Sequence, residues 1–172
     1  MKKIILYIFF TTFYSCSTYL DVGSNIKSEK LDFIYHKDYN EFIYKSDVNS
    51  SADNEIYITT NFSEHLPKKI LNWKVRGNEF YFKYSEQQSI YIKSGNMNLS
   101  NSANWTVKNA DKENISKIIK DYENLKEYNF NIRKDRISKI YSDGRVSILL
   151  LNIKKENINN FLNLIKNFKY LN

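Results

Sequence analysis

Residues 79–93 read Glu79-Phe80-Tyr81-Phe82-Lys83-Tyr84, then Ser85-Glu86-Gln87-Gln88, then Ser89-Ile90-Tyr91-Ile92-Lys93. Phe80, Phe82 and Tyr84 recur at every second position, with Tyr81 and Lys83 between them. Ile90 and Ile92 repeat the pattern after a polar break. Successive side chains of a strand point to opposite faces, so period-two alternation predicts two half-buried antiparallel strands joined by a turn at 85–88. The residues before them extend the meander. Arg76-Gly77-Asn78 is a tight turn in which Gly77 supplies a positive φ, and residues 69–75 form the strand that enters it.

The same reading runs outward. Residues 31–36 place Leu31, Phe33 and Tyr35 on one face, residues 37–40 turn the chain, and 41–45 alternate again. Residues 46–54 (SDVNSSADN) are a loop by composition. A strand over 55–60 puts Ile56 and Ile58 together. Residues 61–67, which hold the single proline, read as a connection, and residues 94–109 as a loop with a short strand around 105–107. A helix over about 111–126 carries Ile115, Ile118, Ile119, Tyr122 and Leu125 on one stripe, with Asn109 and Asp111 as N-cap candidates. Residues 136–142 are a strand, Asp143-Gly144 a two-residue hairpin signal, and 145–153 the most apolar strand. In it Ile148-Leu149-Leu150-Leu151 predict a central position with helices over one face. A second helix, about 155–169, aligns Ile158, Phe161, Leu162, Ile165 and Phe168. The predicted class is α+β: one antiparallel sheet of six or more strands, a meander plus a C-terminal hairpin, with two amphipathic helices packed on one face.

The chain opens differently. Met1-Lys2-Lys3 is followed by the apolar Ile4-Ile5-Leu6-Tyr7-Ile8-Phe9-Phe10, then Thr11-Thr12-Phe13-Tyr14-Ser15-Cys16. At about 1.5 Å per residue, residues 4–14 cover roughly half of a hydrocarbon core about 30 Å thick. That length suits the apolar region of an export signal and is too short for a spanning helix. Ser15 followed by Cys16, the only cysteine, resembles the processing site of a bacterial lipoprotein signal peptide, over residues 1–16. The resemblance implies that residues 1–15 are removed and that Cys16 is lipidated, anchoring the protein to a membrane and facing it outside the cytoplasm. It implies a tether over 16–30 and a single folded domain over 31–172. A lone cysteine forms no internal disulfide, and two acyl chains suffice for stable anchoring.

Formal charge is +7. Without Lys2 and Lys3 it is +5, nearly all lysine, and interleaved with acids as in Lys154-Lys155-Glu156. Asparagine, isoleucine, lysine and tyrosine are abundant together, a bias of A/T-rich codons, so no nucleic-acid partner is expected. His36 and His65, the only histidines, lie far apart, and no second cysteine joins them. No metal site is expected from Asp47, Asn49, Asp53 and Asn54, whose spacing is not a calcium loop. Glu64 and His65 point apart if the segment is extended. Four glycines leave no phosphate-binding loop and no dinucleotide fingerprint, so no cofactor and no catalytic residue is assigned. Tyr39, Tyr57, Tyr81 and Tyr91 fall on outer faces or turns, where a binding surface would recruit them. The expectation is a non-enzymatic envelope protein that binds a protein or an envelope polymer, with an immunity or inhibitor protein as one version. A small envelope hydrolase, its site assembled by folding, is the other class.

Overall fold

A computed structural model of the chain describes residues 25–50, 56–98, 104–119 and 131–171. The export signal, Cys16, the first part of the tether, and Tyr122 and Leu125 of the first expected helix lie outside the described residues. The fold is α+β, built mainly from antiparallel strands, and it holds two principal sheets where the sequence predicts one.

The first sheet contains β1 (Ile26–Lys27), β2 (Leu31–Tyr35), β3 (Asn40–Tyr44), β6 (Phe62–Leu66) and β13 (Lys169–Tyr170), in the order β1-β2-β3-β6-β13. Between β3 and β6 the chain makes a two-stranded ribbon, β4 (Val48–Ser50) with β5 (Ile56–Ile58). The second sheet contains β7 (Asn72–Arg76), β8 (Glu79–Lys83), β9 (Ser89–Ser94), β10 (Thr106–Asn109), β11 (Ile137–Ser142) and β12 (Val146–Ile153), in the order β10-β11-β12-β9-β8-β7. Its β7-β8-β9 meander and β11-β12 hairpin are those expected. The turn of the hairpin is shifted by one residue. The Asp143 N–H donates to the Val146 carbonyl, so Gly144 and Arg145 occupy the tip, and the Asp143 carboxylate accepts from the N–H groups of Arg145 and Val146.

The sheets face each other across an aromatic core. Phe33, Phe42, Tyr44 and Phe62 from the first meet Phe80 and Phe82 from the second, with the Phe42 and Phe80 rings 5.0 Å apart and Tyr44 and Phe80 4.7 Å apart. Offset and tilted ring pairs of this kind add about 0.5–1.5 kcal/mol each beyond their burial. One corner is stitched by hydrogen bonds: the Thr60 N–H donates to the Gly95 carbonyl, and the Ser94 hydroxyl to the Thr60 carbonyl.

The two helices lie on different layers. α1 (Lys112–Ile118) covers the outer face of the second sheet, where Ile115 and Ile119 pack on Tyr91, Leu149 and Leu151. Val146, Ile148 and Leu150 face the core between the sheets, so β12 is buried on both sides, as its apolar run predicts. α1 ends earlier than expected, because Ile119 is extended. α2 (Ile158–Asn167) packs Phe161 and Leu164 into the core beside β6. A single face for both helices is therefore corrected: β12 offers two apolar faces, and the first sheet takes one of them.

Three segments differ further from the expectations. β6 is a strand and a central one, where residues 61–67 read as a connection. Residues 46–54 contain β4. β1 pairs with β2 inside the stretch read as tether, so sheet structure starts by Ile26. On the ribbon Ile56 and Ile58 do share a face, but it is solvent-exposed. Among the described residues no helix is long and apolar enough to cross a membrane.

Candidate functional site

α2 presents two kinds of side chain. Its apolar stripe, Ile158, Phe161, Leu162, Ile165 and Phe168, lies in or against the core, as expected. On the flank of that stripe, Asn160, Asn163 and Asn167 recur at spacings of three and four, which puts them above one another on one face. They form one wall of a cleft of about 500 Å³.

The opposite wall comes from the turn after β2 and the end of β6: Tyr39, His65, Leu66 and the Pro67-Lys68-Lys69 segment. Hydrogen bonds fix that wall. The buried Asn40 donates through Nδ2 to the Pro67 carbonyl (3.2 Å), and its Oδ1 accepts from Lys68 Nζ (3.0 Å), which also donates to the His36 carbonyl (2.9 Å). The Tyr84 hydroxyl donates to the Pro67 carbonyl (3.2 Å). At one end, Gln88 Oε1 accepts from the Lys154 N–H (3.1 Å) and from Asn157 Nδ2 (3.0 Å).

Backbone strain gathers around this cleft. Lys69, Glu86 and Gln87 have φ of 71°, 55° and 64°. Non-glycine residues in that region are uncommon and are held by surrounding structure, with a tendency to occur at functional sites. Lys69 is in the wall itself. Glu86 and Gln87 lie in the turn between Ser85 and Gln88, both lining residues. The Glu86 carboxylate is fixed by Lys154 (2.6 Å) and Arg136 (3.2 Å), which hold it below the usual carboxylate range.

Folding brings the two histidines together. The Tyr39 ring is stacked between His36 and His65, with centroids 4.4 and 3.9 Å away and planes 20° apart in both pairs. His36 Nε2 is 3.2 Å from Glu41 Oε2. Burial lowers the His65 pKa; Glu41 opposes this, while Lys169 and His36 add to it. Glu64 and His65 do point apart: Glu64 is inside the core and His65 on the outer face of β6. Among the described residues neither imidazole holds a hydrogen bond to a hydroxyl, and no three His, Cys, Asp or Glu side chains converge as a metal would need.

Of Tyr39, Tyr57, Tyr81 and Tyr91, which the sequence places on outer faces or turns, Tyr39 lines the cleft. Tyr91 is on the outer face of its sheet but buried beneath α1, with Tyr81 packed beside it. Tyr57 is on the ribbon. Cys16 lies outside the described residues, as do Asp53 and Asn54. Asp47 pairs with Lys30 at 2.5 Å. The asparagines of α2 were the missed residues. Their helical recurrence at 157, 160, 163 and 167 was the available signal.

No family model, curated protein or solved structure matches the chain.

Proposed function

We propose that this protein is a lipid-anchored, non-enzymatic binding protein of the bacterial cell envelope, held to a membrane through Cys16, with its ligand taken in the cleft between α2 and the β6–β7 connection. Residues 1–15 are then the removed export signal, and residues 16–25 span at most about 35 Å when extended. The folded body would work close to a membrane surface.

The cleft carries the reading. Its walls offer amides, tyrosines and a fixed backbone, and His65, the one histidine among its described lining residues, has no hydroxyl partner among the described residues. Hydrolysis by a nucleophile needs a hydroxyl or thiol within reach of a base. Sites that bind without chemistry need a concave surface with a few fixed polar groups, and that is the inventory here. An inhibitor or immunity protein is the protein-binding version of the same proposal.

The test is labelling with a palmitate analogue in cells, comparing wild type with Cys16→Ser. Label and membrane recovery in the wild type alone support the anchor. An unlabelled, soluble wild type that still begins at Met1 overturns it. A hydrolase remains the second reading because Glu41 and His36 form a carboxylate–imidazole pair beside the cleft. It requires that His36→Ala abolish a hydrolytic activity while leaving the fold intact.

A further inference from the structure

We infer that the cleft recognises N-acetylated amino sugars in a glycan strand; this deepens the binding role proposed above and rests on it. The argument starts from charge. Among the described residues the lining holds one carboxylate, Asp38, and two lysines, Lys68 and Lys69, of which Lys68 is already committed to Asn40 and the His36 carbonyl. The other polar groups are mainly neutral amides. A polyanion such as nucleic acid is held by clusters of unsatisfied cations, which this cleft does not offer. A neutral ligand rich in donors and acceptors fits it.

The amides then select among neutral ligands. A carboxamide carries an acceptor oxygen and a donor nitrogen side by side. An acetamido group is a trans amide whose N–H and C=O point to opposite sides. One carboxamide therefore takes the N–H through its oxygen or the C=O through its nitrogen, and amides spaced along the cleft can take both. Asn160 and Asn163 are exposed, and neither side chain is hydrogen-bonded to another described residue. Asn167 gives its Nδ2 to the Asn163 carbonyl (2.8 Å), which leaves Oδ1 as an acceptor. From Asn160 to Asn167 the helix rises about 10 Å, so the amides are spread along the cleft and meet successive groups of an extended ligand.

The second wall complements the first. Tyr39 and His65 are two members of a three-ring stack in which Tyr39 is the middle ring with both faces covered. Tyr39 therefore offers its edge and hydroxyl, while His65, at the end of the stack, has one face not taken by it. The terminal His65 ring is the one that can pack against the C–H face of a sugar ring while the amides hold its polar edge. The walls are preorganised, because Pro67 is held by Asn40 and Tyr84 and α2 is anchored in the core by Phe161 and Leu164. Preorganisation reduces the ordering cost of binding.

The test is calorimetric titration of the full-length protein in detergent with N,N′-diacetylchitobiose, and with cellobiose, which has hydroxyls where the first sugar has acetamido groups. The expected result is saturable binding of diacetylchitobiose, with cellobiose at least tenfold weaker. The exposed double substitution Asn160→Ala/Asn163→Ala weakens binding at least tenfold, and so does His65→Ala. Asn159→Ala, on the same helix but outside the cleft, leaves it unchanged. Equal affinity for the two sugars, binding untouched by the double substitution, or no binding by a protein with wild-type circular dichroism overturns the inference. Palmitate labelling is indifferent to sugar binding, so a failed titration with successful labelling rejects the ligand and keeps the anchored binding protein.

Discussion

Phe42 and Glu64 stand opposite each other on β3 and β6, both with no solvent exposure, in a row that continues to Phe33 on β2. Neither oxygen of Glu64 has a hydrogen-bond partner among the described residues. An unpaired carboxylate in such a place costs far more than a neutral acid. Burial therefore pushes the Glu64 pKa well above its ordinary value of 4.5, so the folded protein holds the proton to higher pH than the unfolded chain does.

The sign of the pH effect follows. Below about pH 4.5 both folded and unfolded chains hold the proton, and the contribution of Glu64 is complete. As pH rises, the unfolded chain releases its proton while the folded chain does not. Stability then falls by about 1.4 kcal/mol per pH unit until the raised folded value is reached. Glu64→Gln removes that slope, and Glu64→Leu is more stable than wild type by about 1–3 kcal/mol near pH 4.5, the cost of an unsatisfied buried polar group, and by more at pH 8. Urea midpoints from pH 5 to pH 8 decide it. Parallel slopes for wild type and Glu64→Gln would remove Glu64 as the cause.

Thr59 ties the root of the ribbon to the core. Its hydroxyl bonds the Tyr44 hydroxyl at 2.7 Å, accepts from the Asp47 N–H at 2.8 Å and donates to the Asp47 carbonyl at 2.9 Å. Thr59→Val keeps the shape and strands the buried Tyr44 hydroxyl, so it should cost about 1–3 kcal/mol, whereas Thr59→Ser should cost less. Denaturant unfolding of the two variants measures the difference, and a Val variant as stable as wild type contradicts it.

The residues that mislead the sequence reading are those that break a local rule. Phe80, Phe82, Ile90 and Ile92 alternate cleanly, and their strands fall where period two places them. In β6 the core-facing series is Phe62, Glu64, Leu66. A buried acid in the middle makes the strand look like a polar connection, and without β6 nothing links the β2–β3 hairpin to β13. That single error merges two sheets into one and puts both helices on the same face. Asn152 causes a smaller disturbance: its φ of 56° resets the alternation at the end of β12, so that Leu151 packs beneath α1 and Ile153 enters the main core. The cleft was illegible for another reason. Its walls come from residues 38–39, 65–69, 84–88 and 157–167, and no local pattern records that they meet.

α1 has seven residues, too few to be stable alone, so its ends and its contacts hold it. The Asp111 side chain caps it by accepting from the Asn114 N–H at 2.7 Å, and Lys93 Nζ donates to the Ile118 carbonyl at 2.8 Å at the other end. A cap removed by Asp111→Ala costs about 1 kcal/mol, which is roughly a fivefold faster amide exchange at Ile119 if the helix opens locally. Lys93→Met removes a cation from the negative end of the helix dipole and acts in the same direction. Exchange at the amides of β12 reports the global fold and should change less. A uniform loss across both would show that α1 does not open on its own.

Gly95 and Gly77 look alike in the sequence and fail differently. Gly77 has a φ of 58° in the β7–β8 turn, a region that asparagine tolerates better than alanine. Gly77→Asn should therefore retain more stability than Gly77→Ala. At Gly95 the constraint is contact: its N–H donates to the Arg145 carbonyl at 2.6 Å, and an added Cβ would sit 2.7 Å from that same oxygen. The clash is with backbone, so no rotamer relieves it. Gly95→Ala and Gly95→Asn should both lose about 1–3 kcal/mol by overpacking, with asparagine giving no recovery. Because Gly95 also accepts from the Thr60 N–H at the corner where the sheets are stitched, displacing it strains both sheets. Thermal unfolding of the four variants separates the two mechanisms: recovery by asparagine at Gly77 but not at Gly95 is expected, and recovery at both would mean that steric contact is not what reserves Gly95 for glycine.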